Sequence, residues 1–222
     1  MDVSTAVEQR RSTRHFAARP VDQAILLRVF AQAGNAPSGG NLQPWHATVL
    51  AGDRLADLRR QMQVALQAPP GSEMPEYRIY PENLPDPWRS RRSANGEAMY
   101  ASVGIGRDDR GGRMAQVMRN FTFFDAPVGA FVHMPRIMGP PQWADVGMWL
   151  QTVMLLLVEQ GLASCAQEAW SAYPDTVKRV AGIPDDHVLF CGLAIGWPEP
   201  DAAINRFANP RVALEDTVRF LD

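Results

Sequence analysis

Three arginines and a serine lie within five residues near the start of the chain, in the segment RRSTRHF. Guanidinium groups stay protonated in proteins, and each can pair two oxygens of a phosphate. The cluster follows a short helix predicted over residues 3–10 and comprises Arg10, Arg11, Ser12 and Arg14. This pattern predicts a phosphate site, although a solvated basic helix end has the same composition.

A second segment, NAPSGGNLQPWH, combines two prolines and two adjacent glycines with no formal charge. Gly39 and Gly40 allow the backbone to approach a flat ligand without an intervening side chain. Asn41 and Gln43 supply both donors and acceptors for the edge of a heterocycle. The alternative interpretation is an ordinary connection between a helix and a strand.

Two further segments contain residues that could complete such a site. GLASCAQEAW, residues 161–170, is rich in small side chains that would let backbone amides face a ligand, or that a tightly packed strand would require. Arg211, in NPRVALEDTVRF, lies far along the chain but could return to the same phosphate. Otherwise it is a surface arginine in a C-terminal tail.

Hydrophobic periodicity predicts the elements that hold these segments. Helices are predicted over residues 3–10, 21–33, 53–66, 89–100, 113–121 and 144–160, strands over 45–50, 127–133 and 188–195, and an extended tail over 208–220. The 144–160 helix is apolar on nearly every face, which indicates a central position. Strands separated by helices favour a mixed sheet with helical layers.

Prolines interrupt the pattern between residues 68 and 88, at positions 69, 70, 75, 81, 85 and 87. Proline at this density prevents regular strand pairing, so a long surface excursion is expected here. Long loops in compact proteins are usually functional, as lids or as arms that contact a second subunit.

Composition restricts the partners and the location. The chain has 222 residues, 46% of them hydrophobic, and a formal charge of −2, which disfavours nucleic acid and anionic membranes as partners. The N-terminus lacks the apolar core of a signal peptide, and no apolar run is long enough to span a membrane. A cytoplasmic protein is therefore expected. The cysteines and histidines show no metal-ligand spacing, so no metal site is predicted.

Taken in chain order, these segments resemble the nitroreductase family of FMN-dependent oxidoreductases over most of the chain. RRSTRHF is similar to the family's phosphate motif, and APSGGNLQPWH to its loop of Pro-Ser-x-x-Asn-x-Gln-Pro-Trp. WADVGMWLQTVMLLLVEQGLASCAQEAW is similar to its central helix and following strand, and NPRVALEDTV to its closing arginine segment. NFTFFDAPVGAFV and INRFANPRVALED resemble the nitrobenzoate-reductase branch.

The resemblance implies an α+β fold in which a mixed sheet is flanked by helices. Residues 1–222 would form a single domain, with 68–112 as a variable excursion that forms part of the substrate pocket. The family resemblance also implies an interlocked, obligate homodimer with two FMN sites at its interface.

The resemblance also implies roles for individual residues. Phosphate and ribityl contacts would come from Arg10, Arg11, Ser12, Arg14 and Arg211. The flavin N5 and pyrimidine edge would be lined by Ala166, Gln167, Glu168 and Ala169. The loop residues Pro37, Ser38, Gly39 and Asn41 would reach the flavin of the other subunit. Ala169 stands where many members have glycine, so alanine would be strained there if that position requires a positive φ.

The implied activity is a ping-pong reaction in which NADH or NADPH passes a hydride to flavin N5. A nitroaromatic or quinone-like acceptor then takes up the electrons. No side chain is assigned as a catalytic acid or base, because the flavin carries the chemistry. The same scaffold leaves open reductive dehalogenation, flavin fragmentation, oxidation of a peptide, or flavin binding without turnover.

Overall fold

The structure, a computed structural model, describes residues 1–221. The helices are α1 (Val3–Gln9), α2 (Gln23–Ala33), α3 (Gly52–Ala65), α4 (Trp88–Ala101), α5 (Arg110–Met118), α6 (Pro140–Glu159), α7 (Pro174–Ala181) and α8 (Ala203–Arg206). The strands are β1 (His46–Ala51), β2 (Val128–Pro135), β3 (Ala163–Gln167) and β4 (His187–Gly196).

Most of the predicted elements lie close to their predicted positions, and two helices differ for local reasons. Helix α6 begins at Pro140 rather than at residue 144, because proline is well tolerated in the first turn of a helix. Helix α5 starts earlier than predicted because Asp109 caps it, accepting a hydrogen bond from the Gly112 amide at 2.8 Å. The tail over 208–220 is extended apart from a short 3-10 turn at Leu214–Asp216.

The four strands form one sheet in the order β1-β2-β4-β3, which confirms the α+β class. A mixed sheet is expected from the sequence, but every adjacent pair of these strands is antiparallel. Strands β2 and β3 do run in the same direction, joined by the α6 crossover, but β4 lies between them. Within residues 1–221, the one parallel pairing is an isolated bridge at the edge of the sheet, between Ser12 and Ser164.

The sheet separates two hydrophobic clusters, because successive side chains of its central strands point to opposite faces. Val132 of β2 packs with α2 and α6, whereas its neighbour Phe131 packs with α3 and the aromatic residues around Trp170. Helix α6 buries one stripe, including Val146 and Val153, but leaves Met148 41% exposed. The protomer alone therefore covers less of α6 than its apolar sequence predicts.

The first part of the proline-rich excursion is fixed to the body of the protomer by two glutamates. Glu73 accepts hydrogen bonds from the backbone N–H groups of Asp175 and Thr176, at 2.8 and 3.1 Å, where α7 begins. The almost fully buried carboxylate of Glu76 pairs with Lys178 at 2.7 Å and with Arg136 at 2.8 Å. These contacts fix residues 73–76 in place, so this stretch cannot swing freely as a lid.

Three histidines meet at one end of the sheet, although their sequence spacing shows no relation between them. His46 and His133 are register partners on β1 and β2, and their rings stack 5.6 Å apart. His133 Nδ1 lies 2.7 Å from Nδ1 of His187, and His133 Nε2 lies 3.2 Å from the Thr48 hydroxyl. Burial, together with the neighbouring His187, His46 and Lys178, lowers the pKa of His133 to about 4.

This cluster should make the stability of the protein depend on pH. The unfolded chain, with an ordinary histidine pKa near 6.5, binds the proton before folded His133 does. The contribution is therefore complete above about pH 6.5 and is lost as the pH falls toward 4. We expect the free energy of unfolding in urea to fall by about 2 kcal/mol more in the wild type than in His133→Gln between pH 7.5 and 4.5.

The matched control is His15→Gln, since His15 is exposed and lies outside the cluster. It should keep the pH dependence of the wild type. Equal losses of stability in the wild type and in His133→Gln would contradict this assignment.

Candidate active site

The predicted arginine cluster lines one cavity of about 340 Å³. The cavity brings together residues separated by almost the whole chain, since Arg211 of the tail joins the N-terminal segment there. Its lining includes Arg10, Arg11, Ser12, Arg14 and Arg211, and also Glu8 and Asn209. The structure therefore brings the two ends of the chain to one place, as the phosphate hypothesis requires.

The N-terminal part of this cavity is attached to the edge of the sheet. Helix α1 ends at Gln9, and Arg10 leaves it with an extended backbone. Ser12 then bridges to Ser164 of β3, and the Thr13 amide donates a hydrogen bond to the Ser164 carbonyl at 3.0 Å. The arginine segment thus runs directly beside β3, the strand that leads to Ala166.

Asn205 connects the two ends of the chain next to this cavity. Its side-chain oxygen accepts a hydrogen bond from the Arg14 amide at 2.9 Å. Its side-chain nitrogen donates to the carbonyls of His15 and Glu199, at 2.7 and 3.1 Å. One short amide side chain therefore fixes the segment that carries Arg14 against the start of the tail that carries Arg211.

The arginines of this cavity form no ion pair within residues 1–221, although Glu8 also contributes to the lining. Among residues 1–221, none of the four arginines of the cavity has a carboxylate oxygen within 4.0 Å of its guanidinium nitrogens. Arg14 donates only to the Ser12 carbonyl, at 3.2 Å, and Arg211 to the carbonyls of Asn209 and Pro210. Most of their N–H groups remain available, which fits a phosphate dianion.

A second, smaller cavity of about 180 Å³ adjoins the first, and Arg14 lines both. Its other residues come from α4, α5, the 3-10 segment after α5, and β3. They are Met99, Tyr100, Gln116, Val117, Asn120, Phe124, Cys165 and Ala166. A wall that combines apolar and aromatic side chains with amide groups and a guanidinium suits a flat ring that has polar edges.

Only one of the four residues predicted near the ring edge lines this cavity directly, and that residue is Ala166. The Gln167 side chain is buried and donates to the carbonyl of Asn120 at 2.9 Å. Glu168 begins a 3-10 helix, and desolvation raises the pKa of its carboxyl group. Ala169 is not among the residues of the described chain with positive φ, so the anticipated strain is not present.

The glycine loop lies apart from both cavities of its own protomer. Pro37, Ser38, Gly39 and Asn41 are not among the residues that line either of them. The loop is nevertheless held in a defined shape. The Gly39 amide donates to the buried carboxylate of Asp145 on α6 at 3.2 Å, and the Ser38 hydroxyl accepts from the Gln43 amide at 3.0 Å.

Left-handed backbone conformations at the tip of this loop match its residue types. Gly40, Asn41 and Gln43 have φ values of 58°, 56° and 49°. Glycine and asparagine adopt this conformation at lower cost than most residues do. Asn41 is exposed, so its side-chain amide is accessible at the tip of the loop.

Sequence reasoning missed three residues that the structure places at or beside these sites. Asn205 links the chain ends, Asp145 supports the glycine loop, and Gln116 lies in the wall of the smaller cavity. None belongs to a local motif, because each acts on residues distant in sequence. Asp145 lies within the quoted segment WADVGMWLQTVMLLLVEQGLASCAQEAW and Asn205 within INRFANPRVALED, but neither segment assigns them a role.

The described residues contain neither a metal-binding cluster nor a membrane-spanning helix. In residues 1–221, no group of three or more histidine, cysteine, aspartate or glutamate side chains could hold a metal ion. Over the same residues, no helix combines the length and the apolar character needed to cross a bilayer.

Comparison with known proteins identifies the family of the chain. The model of the nitroreductase family matches residues 7–197. A chloronitrobenzene nitroreductase of Comamonas testosteroni is 31% identical over 99% of this chain and 96% of its own length. The crystal structure of an FMN and NADPH-dependent nitroreductase, NfnB of Sphigopyxis sp. strain HMH, is 52% identical, with a TM-score of 0.97 and complete coverage of both chains.

A third similar protein is the FMN-dependent nitroreductase NfnB of Mycobacterium smegmatis, whose structure was solved in complex with NADPH. It is 30% identical with a TM-score of 0.92, and the match covers all of both chains. The protein described here belongs to the nitroreductase family. The predicted family is therefore confirmed, and the fold agrees with that of these solved structures.

Asn205 provides a test of how the cavity is held together. Removing its side chain in Asn205→Ala leaves the Arg14 amide and two carbonyls without their partners. We expect urea denaturation to show a loss of about 1–3 kcal/mol in the free energy of unfolding. Asn83→Ala is the matched control, because Asn83 is exposed in the proline-rich excursion, and it should change stability by less than about 0.5 kcal/mol. Equal stability of the two variants would show that Asn205 does not hold this junction.

Proposed function

We propose that this protein is an FMN-dependent oxidoreductase that uses NADPH or NADH to reduce nitroaromatic or quinone-like acceptors. The observation that carries the proposal is the cavity lined by arginines from both ends of the chain, none of which is ion-paired within residues 1–221. Membership of the nitroreductase family and the names of its similar relatives support the same activity. We propose a cytoplasmic location, where reduced nicotinamides are available.

The donor set of the larger cavity fits the phosphate end of FMN. Arg10, Arg11, Arg14 and Arg211 would neutralise the phosphate, and the Ser12 hydroxyl would donate to one of its oxygens. Arg14 lines both cavities, so it would also extend positive charge toward the ring. A fixed positive charge near the ring favours electron uptake there.

The smaller cavity fits the ring end of the cofactor. Its apolar residues, including Tyr100, Val117 and Phe124, would exclude water from one part of the ring. The backbone from Ala166 to Ala169 would offer amide groups to the ring edge. A bound flavin supplies hydride chemistry between a nicotinamide and the acceptor, so the chain need only bind, orient and shield the reactants.

We further propose that two copies of the chain form a homodimer in which each site is completed by the other subunit. The glycine loop supports this, because it is held firmly by Asp145 yet lies apart from the cavities of its own protomer. The tail supports it as well, since Phe220 is 81% and Leu221 is 77% exposed. Large apolar side chains exposed in succession are typical of a surface that another chain covers.

We propose that residues 1–222 act as one domain, in which the excursion over 68–112 helps to form the substrate pocket. Met99 and Tyr100, both on α4, belong to this excursion and line the smaller cavity. The last residue, Asp222, lies outside the described part of the chain.

Substitution of the arginines tests the phosphate assignment. Arg14→Gln and Arg211→Gln each remove one charged contact, and a hydrogen bond to a charged group contributes about 1.5–3 kcal/mol. We expect each variant to bind FMN about 10- to 150-fold more weakly, as measured by fluorescence titration of the apoprotein. Arg60→Gln is the control, since Arg60 pairs with Asp57 on the surface of α3, and it should retain the wild-type affinity. Unchanged FMN affinity in both test variants would refute the assignment.

The exposed tail provides the corresponding test of the homodimer. We expect the double variant Phe220→Ala/Leu221→Ala to dissociate at a higher protein concentration than the wild type, because an apolar contact with the second copy is lost. Sedimentation across a dilution series measures this. Val64→Ala, on the outer face of α3, is the control and should dissociate like the wild type. A wild type that is monomeric at every concentration would end the proposal.

A further inference from the structure

One buried amide group in the protein lacks a hydrogen-bond partner. Over residues 1–221, Gln116 Nε2 is the sole buried side-chain nitrogen or oxygen in this condition. Gln116 is 8% exposed and lies in the last turn of α5, where it lines the smaller cavity beside Arg14. Buried polar groups are almost always paired, so an exception next to a cavity calls for an explanation.

Asn120, the other carboxamide side chain of this cavity, already has partners within the chain. Asn120 donates from Nδ2 to the Val117 carbonyl at 2.8 Å, and its Oδ1 accepts from Gln167 at 3.1 Å. Arg14 donates to the Ser12 carbonyl at 3.2 Å. Over residues 1–221, Gln116 Nε2 is therefore the buried carboxamide donor of this wall that the fold leaves to a group entering from outside.

The chemistry of that group follows from the atom that is free. An amide nitrogen donates and does not accept, so its partner must present a hydrogen-bond acceptor. The wall also includes Met99, Tyr100 and Phe124, whose side chains can pack against a flat ring. An anionic group would instead be drawn to the arginines of the adjoining cavity.

We propose that Gln116 is a binding residue for the cofactor ring, donating a hydrogen bond from Nε2 to a carbonyl oxygen of the isoalloxazine. This inference rests on the proposed function, because it requires FMN in the two adjoining cavities. It adds a residue that neither the sequence motifs nor the backbone of residues 166–169 supplies. The apoprotein would then leave the amide unpaired, and the cofactor would pair it.

The test compares Gln116→Met with the wild type as full-length chains, with and without added FMN. Methionine has a similar length and suits a helix, but it cannot donate. We expect FMN affinity, measured by fluorescence titration, to fall about 3- to 10-fold, as for the loss of one neutral hydrogen bond. Without FMN, the melting temperature of the variant should equal or exceed that of the wild type, because an unpaired buried amide has been removed.

Gln63→Met, on the exposed part of α3, controls for the substitution itself and should match the wild type in both measurements. A Gln116→Met variant that is less stable without FMN but binds it with unchanged affinity would overturn the inference, because Gln116 would then pair with water or protein. Unchanged FMN affinity with an altered KM for a nitroarene would also overturn it, by assigning the amide to the substrate. A wild type that fails to bind FMN would end the proposed function, and this inference with it.

Discussion

The candidate site depends on the convergence of four arginines that form no ion pair within residues 1–221. Arg10, Arg11, Arg14 and Arg211 repel one another, so their convergence must be stabilised by contacts elsewhere in the fold. Asn205 supplies two hydrogen bonds between the chain ends and a third to the nearby Glu199 carbonyl, and Ser164 receives the N-terminal segment at the edge of the sheet. Such a cavity is arranged in advance for an anion, because the cost of bringing the charges together is met by folding rather than by binding.

Hydrophobic periodicity was sufficient to predict the helices and strands that a short stretch of sequence defines. Apolar periodicity identified α2, α3 and the strands β1, β2 and β4 with nearly their observed bounds. The pairing of those strands could not be predicted in the same way. The position of β4 between β2 and β3 depends on which strands share buried faces, and that is decided by packing across the whole sheet.

The same distinction separates the site residues that could be predicted from those that could not. Arg14 belongs to a dense basic motif, so its chemistry is visible in a short window of sequence. Gln116 is an ordinary polar residue of an amphipathic helix, and only its burial without a partner distinguishes it. His133 acquires its low pKa from strands that its sequence neighbours do not reveal. Function carried by burial or by strand register therefore requires the structure.

The glycine loop and the charged cavity together support the proposed homodimer. Residues at the tip of the loop have left-handed backbone conformations, and the buried carboxylate of Asp145 accepts a hydrogen bond from the loop. Both features cost folding free energy that a simple connection would not require. The loop residues Pro37, Ser38, Gly39 and Asn41 line neither cavity of their own chain. Helix α6, which carries Asp145, also leaves part of its apolar surface uncovered. A second copy that packs on α6 would thus cover that apolar surface and also contact the glycine loop. In the proposed homodimer, assembly would therefore complete the site.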